Sequence, residues 1–101
     1  MVVRFRNKMV LELFELETRL SVSKYKFANH IIEKYKLRIG QLIDAPDLKT
    51  IGQIRSLNYE KLKGNRKGQS SIRINDQFRV CFIELTENEI AVEIIELTDY
   101  H

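Results

Sequence analysis

The chain has 101 residues, of which 44% are hydrophobic and 31% charged, and its formal net charge is +3. This composition is typical of an ordinary globular domain, and it excludes collagen-like, disordered and low-complexity proteins. No apolar run approaches the roughly 20 residues that span a bilayer, and the N-terminal segment lacks the pattern of a signal peptide, so we expect no membrane association. The length leaves room for one domain, over residues 1–101, and the single cysteine favours a reducing cytoplasm.

The first half of the chain predicts a short strand followed by two helices. Two β-branched residues and an aromatic favour a strand at 2–5, and Asn7 can then cap a helix from 8 to about 20. Ser23 is a plausible N-cap for a second helix over 24–43. One apolar stripe at steps of three and four residues defines that second helix: Phe27, Ile31, Tyr35, Ile39 and Leu42.

The second half predicts strands and turns. Asp47 follows the only proline and can cap a short helical turn. Residues 56–63 form a weak strand candidate, whereas 69–74, 78–85 and 90–97 are stronger candidates. Two helices followed by an antiparallel meander predict an α+β fold with one sheet face packed against the helices.

The hairpin between the two central strands has a predictable register. Only a three-residue loop, 75–77, places the apolar residues of both strands on one face, and we expect that loop to contain a residue with positive φ. Arg73 and Arg79 then lie opposite each other on the other face, where like charges repel. Either a bound anion or a carboxylate such as Glu93 would relieve that repulsion.

Basic residues are concentrated in one segment. Residues 61–79 contain six Lys or Arg and one Asp, whereas residues 80–101 contain six Asp or Glu and no Lys or Arg. A basic segment in an otherwise balanced chain suggests a phosphate-binding site. A solvated charged face explains the same pattern equally well.

Few side chains could carry metal or nucleophilic chemistry. Two histidines and one cysteine at wide spacing do not make a zinc site, so we expect no metal or other cofactor. A single cysteine also excludes an internal disulfide. Cys81 lies in an apolar strand and is expected to be packed rather than nucleophilic. His30 lies in the long helix among apolar neighbours, and a structural role is expected.

His101 stands apart from these residues. In an extended chain it projects from the same side as Asp99, with the two Cα atoms roughly 6.5 Å apart. A nearby carboxylate raises the pKa of an imidazole and orients its ring, so His101 could transfer protons near neutral pH. The alternative is a frayed terminus that happens to contain a histidine.

Three segments together resemble a known family. They are Leu-Lys-Gly-Asn-Arg-Lys-Gly-Gln at 62–69, Ser-Ile-Arg-Ile-Asn-Asp-Gln-Phe-Arg-Val-Cys-Phe at 71–82, and Asp-Tyr-His at 99–101. In order and spacing they resemble the HigB toxins of the RelE superfamily, and the first half of the chain matches that family only in layout. The resemblance implies a RelE-like α+β fold, with two N-terminal helices on a curved antiparallel sheet, and a metal-independent endoribonuclease that cleaves mRNA in the ribosomal A site.

The resemblance also implies roles for particular residues. The catalytic set would be Lys63, Arg79, Asp99, Tyr100 and His101. Lys63 and Arg79, with Arg73, would stabilise the phosphate, Asp99 would orient His101 as general acid or base, and Tyr100 would stack on or position a base. RNA supplies its own nucleophile, the 2′-hydroxyl, so no metal is required.

Further basic residues are implied to bind RNA: Lys61, Arg66, Lys67 and Arg73. Arg66 and Lys67 could anchor the backbone of ribosomal RNA. The sequence departs from the family at Glu60, where some members have a histidine three positions before the motif lysine. A mechanism with two histidines is therefore doubtful, and more of the chemistry would depend on His101.

The implied partners are the ribosome with its mRNA and a HigA-type antitoxin that has a helix-turn-helix domain. Operator DNA would be bound only indirectly, through the antitoxin. Two other functions remain open for this sequence. One is inhibition of DNA gyrase, as in ParE relatives, and the other is a catalytically inactive module that binds the antitoxin and assists repression.

Overall fold

The computed structural model describes residues 1–88 and 90–99. The helices within these ranges are α1 (Lys8–Glu15), α2 (Thr18–Tyr25), α3 (Asn29–Asp44) and α4 (Leu48–Gly52), with two 3₁₀ turns at Arg55–Leu57 and Gly64–Arg66. The strands are β1 (Val2–Phe5), β2 (Glu60–Lys61), β3 (Ser70–Arg73), β4 (Phe78–Glu84) and β5 (Ala91–Asp99). The α+β class predicted from the sequence is confirmed.

The helix predicted over 8–20 is two helices instead of one. Asn7 caps α1 as expected, since its side chain accepts a hydrogen bond of 3.0 Å from the backbone N–H of Val10. The chain becomes extended at Leu16, which ends α1, and α2 then packs against both α1 and α3. Ser21 is fully buried in α2, and its hydroxyl lies 3.4 Å from the carbonyl oxygen of Glu12. Ser23 lies inside α2, so its predicted role as an N-cap is wrong.

The sheet has the strand order β1-β5-β4-β3-β2. Strands β2 to β5 form the predicted antiparallel meander. The remaining strand, β1, pairs in parallel with β5, with Val2 opposite Ala91 and Phe5 opposite Ile94. The sheet is therefore mixed rather than wholly antiparallel, because β1 lies at its edge and runs parallel to β5.

The central hairpin has the predicted register. Arg73 is paired with Arg79, and the N–H of Ile74 donates to the carbonyl of Phe78 at 2.9 Å, which leaves a loop of three residues. The expected positive φ is absent from this loop, because the non-glycine residues with positive φ among those described are at positions 26 and 58. Instead, the side chain of Asn75 closes the loop by accepting hydrogen bonds from two backbone N–H groups.

A bulge in β5 changes which residues face the core. Cys81 is opposite Glu96, whereas the next residue, Phe82, is opposite Ile94, so Ile95 is an extra residue in β5. The alternation of side chains therefore shifts by one position at this point. As a result Glu96 faces the same side of the sheet as Cys81, away from the core.

The hydrophobic core lies between the helices and one face of the sheet. Its fully buried members include Leu13, Ile32, Tyr35, Ile39, Leu42, Leu48, Ile51, Ile72, Val80, Phe82, Val92 and Ile94. The Tyr35 hydroxyl donates to the carbonyl of Val10 at 2.7 Å, and burial raises the pKa of Tyr35, so the phenol remains a donor. Since the core occupies one sheet face, alternate residues of β3, β4 and β5 are left for the other face.

Asp47 should make stability sensitive to acid. It caps α4 as predicted, and its carboxylate accepts from the backbone N–H and the hydroxyl of Thr50, both at 2.8 Å. These bonds, the backbone one first, lower the pKa of Asp47 in the folded protein. A depressed folded pKa stabilises the protein above the ordinary aspartate range, about pH 4, and this stabilisation is lost as pH falls through the folded value.

We therefore expect Asp47→Asn, which keeps an acceptor oxygen without the charge, to lose less stability than the wild type between about pH 7 and about pH 3. Denaturant unfolding at both pH values measures the difference. Equal losses in the two proteins would contradict this role of the carboxylate.

Candidate functional site

A cavity of about 170 Å³ opens on the sheet face opposite the core. Its walls come from the segment after β2, the second 3₁₀ turn and the three central strands, and they consist of Leu62, Arg66, Ser71, Arg79, Cys81, Thr98 and Asp99. Two guanidinium groups and one carboxylate thus meet around a small, partly apolar cavity. Such a convergence of charged groups in a concave surface is typical of a binding or active site.

Arg79 is held firmly in the wall of the cavity. It is only 8% exposed, and its Nη1 atom lies 3.4 Å from the carbonyl oxygen of Asn58. Its Nη2 atom lies 3.9 Å from a carboxylate oxygen of Glu60, which belongs to β2. A guanidinium held among fixed neighbours in a region of low dielectric interacts strongly with an anion.

Arg66 reaches the cavity from a glycine-bounded turn. Gly64 and Gly68 have φ values of +63° and +94°, which residues with a Cβ rarely adopt, and the chain turns back between them. The Arg66 side chain donates to Gln69 at 2.9 Å and forms a close ion pair with Glu96. This hydrogen bond with Glu96 raises the pKa of the Arg66 guanidinium, so its charge is secure.

Asp99 ends β5 at the mouth of the cavity. It lies opposite Phe78 in the sheet, and its carboxylate accepts a hydrogen bond of 2.9 Å from the amide of Gln77 in the hairpin loop. The last strand and the central hairpin are therefore tied together at this edge. Tyr100 and His101, the other two residues of the predicted motif, lie outside the described residues.

The remaining basic residues of the predicted site lie elsewhere. Lys63 precedes the second 3₁₀ turn and is exposed, and it does not line the cavity. Lys61 and Lys67 line a different groove, on the side of the β2–β3 edge that also carries Glu84. Arg73 lies beside Arg79 in the sheet but is bound within the hairpin loop. Among the described residues of the predicted set, Arg66, Arg79 and Asp99 therefore line the cavity on this sheet face.

The expected carboxylate between the paired arginines is not Glu93. That residue forms an ion pair of 2.9 Å with Arg6 at the start of the chain. Arg73 pairs with Asp76 instead, and a carboxylate oxygen of Glu60 lies 3.9 Å from Arg79. Each arginine has its own carboxylate neighbour, which reduces the repulsion that the register imposes.

Two residues of this face were not identified from the sequence. The hydroxyl of Ser71 is buried without a hydrogen-bond partner, the one such side-chain atom found in the described part of the chain. An unpaired buried hydroxyl costs about 1–3 kcal/mol, so it requires an explanation. Glu96 reaches the site only because of the bulge in β5. Neither a serine in a strand nor a glutamate in an alternating pattern gives a signal that could have found them.

Cys81 is packed, in agreement with the sequence. It is 2% exposed, and burial raises the pKa of its thiol, which therefore stays protonated near neutral pH and is a poor nucleophile. His30 is exposed on α3, so its expected packing among apolar neighbours is wrong. Over residues 1–88 and 90–99, no group of three His, Cys, Asp or Glu side chains could hold a metal ion.

The fold is similar to that of several solved structures. The chain resembles the YoeB/ParE toxin from Agrobacterium tumefaciens, with 16% identity and a TM-score of 0.56 over the full length of both chains. It resembles YafQ from E. coli strain BL21(DE3), with 13% identity and a TM-score of 0.60 over 97% of this chain and 91% of that one. It also resembles the YoeB–YefM complex from Staphylococcus aureus, with 24% identity and a TM-score of 0.50 over 100% of this chain and 97% of that one.

No protein-family model and no curated protein sequence matches the chain. At the identities of the solved structures, the likeness establishes the fold alone. The fold is that of RelE/YoeB-like toxins, as the sequence predicted.

Proposed function

We propose that this protein is the toxin of a HigB-like toxin–antitoxin system, a single cytoplasmic domain over residues 1–101 that cleaves mRNA in the ribosomal A site without a metal. The observation that carries the proposal is the cavity in which Arg66, Arg79 and Asp99 meet. The Asp-Tyr-His motif begins at the last of these residues. The toxin fold supports the proposal separately, and the three motifs quoted above include all three of these cavity residues.

The reaction needs groups that bind a phosphodiester and move two protons. The 2′-oxygen loses a proton and attacks phosphorus, a P–O2′ bond forms, and the P–O5′ bond breaks as the leaving 5′-oxygen gains a proton. Preorganised positive charge stabilises the negative charge that develops on the phosphate. Arg79 and Arg66 supply that charge from the cavity wall, and Lys63 would join them when the mRNA is bound.

Proton transfer is assigned to His101, oriented by Asp99. A second group must act on the other proton, and Glu60 is a candidate because its carboxylate lies 3.9 Å from Arg79. The sequence has this glutamate where some family members have a histidine, so the same position could supply a carboxylate in place of an imidazole. Tyr100 is proposed to stack on a base, an interaction worth about 1–3 kcal/mol.

Binding to the ribosome is assigned to basic residues outside the cavity. Lys61 and Lys67 line a groove of their own at the β2–β3 edge, and Arg73 lies in the hairpin. Because these residues lie in separate parts of the sheet, they suit contacts with folded ribosomal RNA, whose backbone approaches from several directions. Arg66, expected to anchor ribosomal RNA, is reassigned to the phosphate because it lines the cavity with Arg79.

The proposed partners are a HigA-like antitoxin with a helix-turn-helix domain, the ribosome and its mRNA, with operator DNA bound only through the antitoxin. The Staphylococcus aureus YoeB was solved in a complex with YefM, which makes an antitoxin partner reasonable here. None of the described helices is long and apolar enough to cross a membrane.

Cleavage mapping tests the proposed function directly. Bacterial ribosomes are programmed with a defined mRNA, the purified protein is added, and the cuts are located by primer extension. We expect cuts at the decoding site with ribosomes and none in naked mRNA.

A second function is kept because one similar structure is titled a YoeB/ParE toxin. If a folded protein that arrests growth makes no cuts, the nuclease proposal is rejected. An assay of DNA supercoiling by gyrase would then test the ParE-like alternative.

A further inference from the structure

The buried hydroxyl of Ser71 is the least explained group in the cavity. Ser71 is fully buried on β3, directly opposite Glu60 of β2 and Cys81 of β4, and it lines the cavity with Arg66 and Arg79. Its Oγ atom has no hydrogen-bond partner among the described residues. A hydroxyl can donate to an anion, and the two guanidinium groups of the same cavity attract one.

One of the two cations that line the cavity is already paired with a carboxylate from outside the lining. Glu96 forms an ion pair with Arg66, and the side chains of the two residues are 34% and 39% exposed. An exposed ion pair contributes little to stability and exchanges readily with a competing anion. Because Ser71 has no exposed surface, a ligand can reach its hydroxyl only if a side chain in the wall moves. Arg66 is the more exposed of the two arginines in the wall, with 39% of its side chain exposed against 10% for Arg79.

We propose that a phosphodiester displaces Glu96 from Arg66 and takes a hydrogen bond from Ser71 Oγ through one of its non-bridging oxygens. Ser71 is then a binding residue for the phosphate, and Glu96 is an internal competitor that pairs with Arg66 in the absence of ligand. This inference rests on the proposed function for the identity of the ligand as an RNA phosphate. No bond forms or breaks in this step.

The arrangement explains why an unsatisfied hydroxyl is kept in a buried strand. In the free protein it destabilises the fold, and an alanine at the same position would remove the unpaired group. In the complex it donates to a charged acceptor, a stronger bond than one between neutral groups. Stability given up in the free protein is thus recovered as ligand binding, a trade-off common at functional sites.

Ser71→Ala tests the proposal against a matched control. Ser70 is the neighbouring buried serine, 4% exposed, and its side chain faces the other side of the sheet. The probe is a 2′-deoxy dinucleoside monophosphate, which cannot be cleaved because it lacks the 2′-hydroxyl, titrated into the full chain by NMR. We expect Ser71→Ala to weaken binding about tenfold and to raise Tm by about 4 °C, while Ser70→Ala binds like the wild type.

Glu96→Gln is a second variant, for which we expect the opposite change in affinity for the probe. It removes the competing charge from a partly exposed position, so we expect tighter binding of the same probe, by about three- to tenfold. The uncharged methylphosphonate analogue of the probe should bind neither variant measurably. The proposal would be overturned if either variant bound the probe as the wild type does. It would also be overturned if the analogue bound as tightly as the charged probe.

These results separate the inference from the proposed function. If probe binding depends on Ser71 and Glu96 but the protein never cuts mRNA, the phosphate site is supported and the nuclease proposal is rejected. Cleavage at the decoding site with no effect of either variant on probe binding would keep the nuclease and reject the roles of Ser71 and Glu96.

Discussion

We expect His101→Ala to reduce ribosome-dependent cleavage of mRNA by about 10²- to 10⁴-fold, the usual contribution of a general acid or base. Asp99, which the structure describes, lines the cavity. Two peptide units connect it to His101, so the Cα atoms of the two residues are at most about 7 Å apart. We therefore expect the imidazole to reach a phosphate held by the cavity. Primer extension on programmed ribosomes measures the rate.

The chain provides its own control for this experiment. It contains two histidines, and His30 is exposed on α3, where it lines a separate shallow groove. His30→Ala should cleave like the wild type, and both variants should have the wild-type Tm. Full cleavage by His101→Ala would remove the histidine from the mechanism and leave proton transfer to the carboxylates near Arg79.

Arg79→Gln should lower the cleavage rate by about 10²- to 10³-fold, the range found when one preorganised donor to a developing oxyanion is removed. Glutamine retains much of the volume and polarity of the side chain, so the wall of the cavity is preserved. The charge is lost at a position that is 8% exposed, where water cannot replace it. Rates at saturating ribosome concentration isolate this effect from binding.

Two variants distinguish a role at the phosphate from a general loss of charge. Arg79→Lys keeps the charge but loses the planar pair of donors, so we expect intermediate activity. Arg19→Gln removes an equally charged side chain that is 78% exposed and paired with Glu17 on α2's N-terminal side, and it should be fully active. If Arg79→Gln and Arg19→Gln lost the same activity, the cavity would not be the site of cleavage.

Local pattern was sufficient for much of the fold and for part of the candidate site. The parity of apolar residues on two adjacent strands determined the loop of residues 75–77 and the pairing of Arg73 with Arg79, because side chains alternate strictly along a strand. Capping chemistry likewise located Asn7 and Asp47 at the starts of α1 and α4. These features depend on residues that are close in the sequence.

Features that depend on distant residues could not be read from the sequence. The parallel pairing of β1 with β5 joins residues about 89 positions apart, and no local pattern encodes such a partner. The apparent single helix is divided into α1 and α2 at the extended residue Leu16, and both helices pack against α3, which the apolar spacing does not predict.

The sequence by itself determined the α+β class, the hairpin register and the basic residues from which a phosphate site could be built. Only the tertiary structure decided which of those residues meet. The bulge at Ile95 brings Glu96 to Arg66, and the burial of β3 leaves the Ser71 hydroxyl without a partner. The physical reason is that composition and spacing fix which charges a chain carries, whereas their distances, burial and partners depend on how separate elements pack.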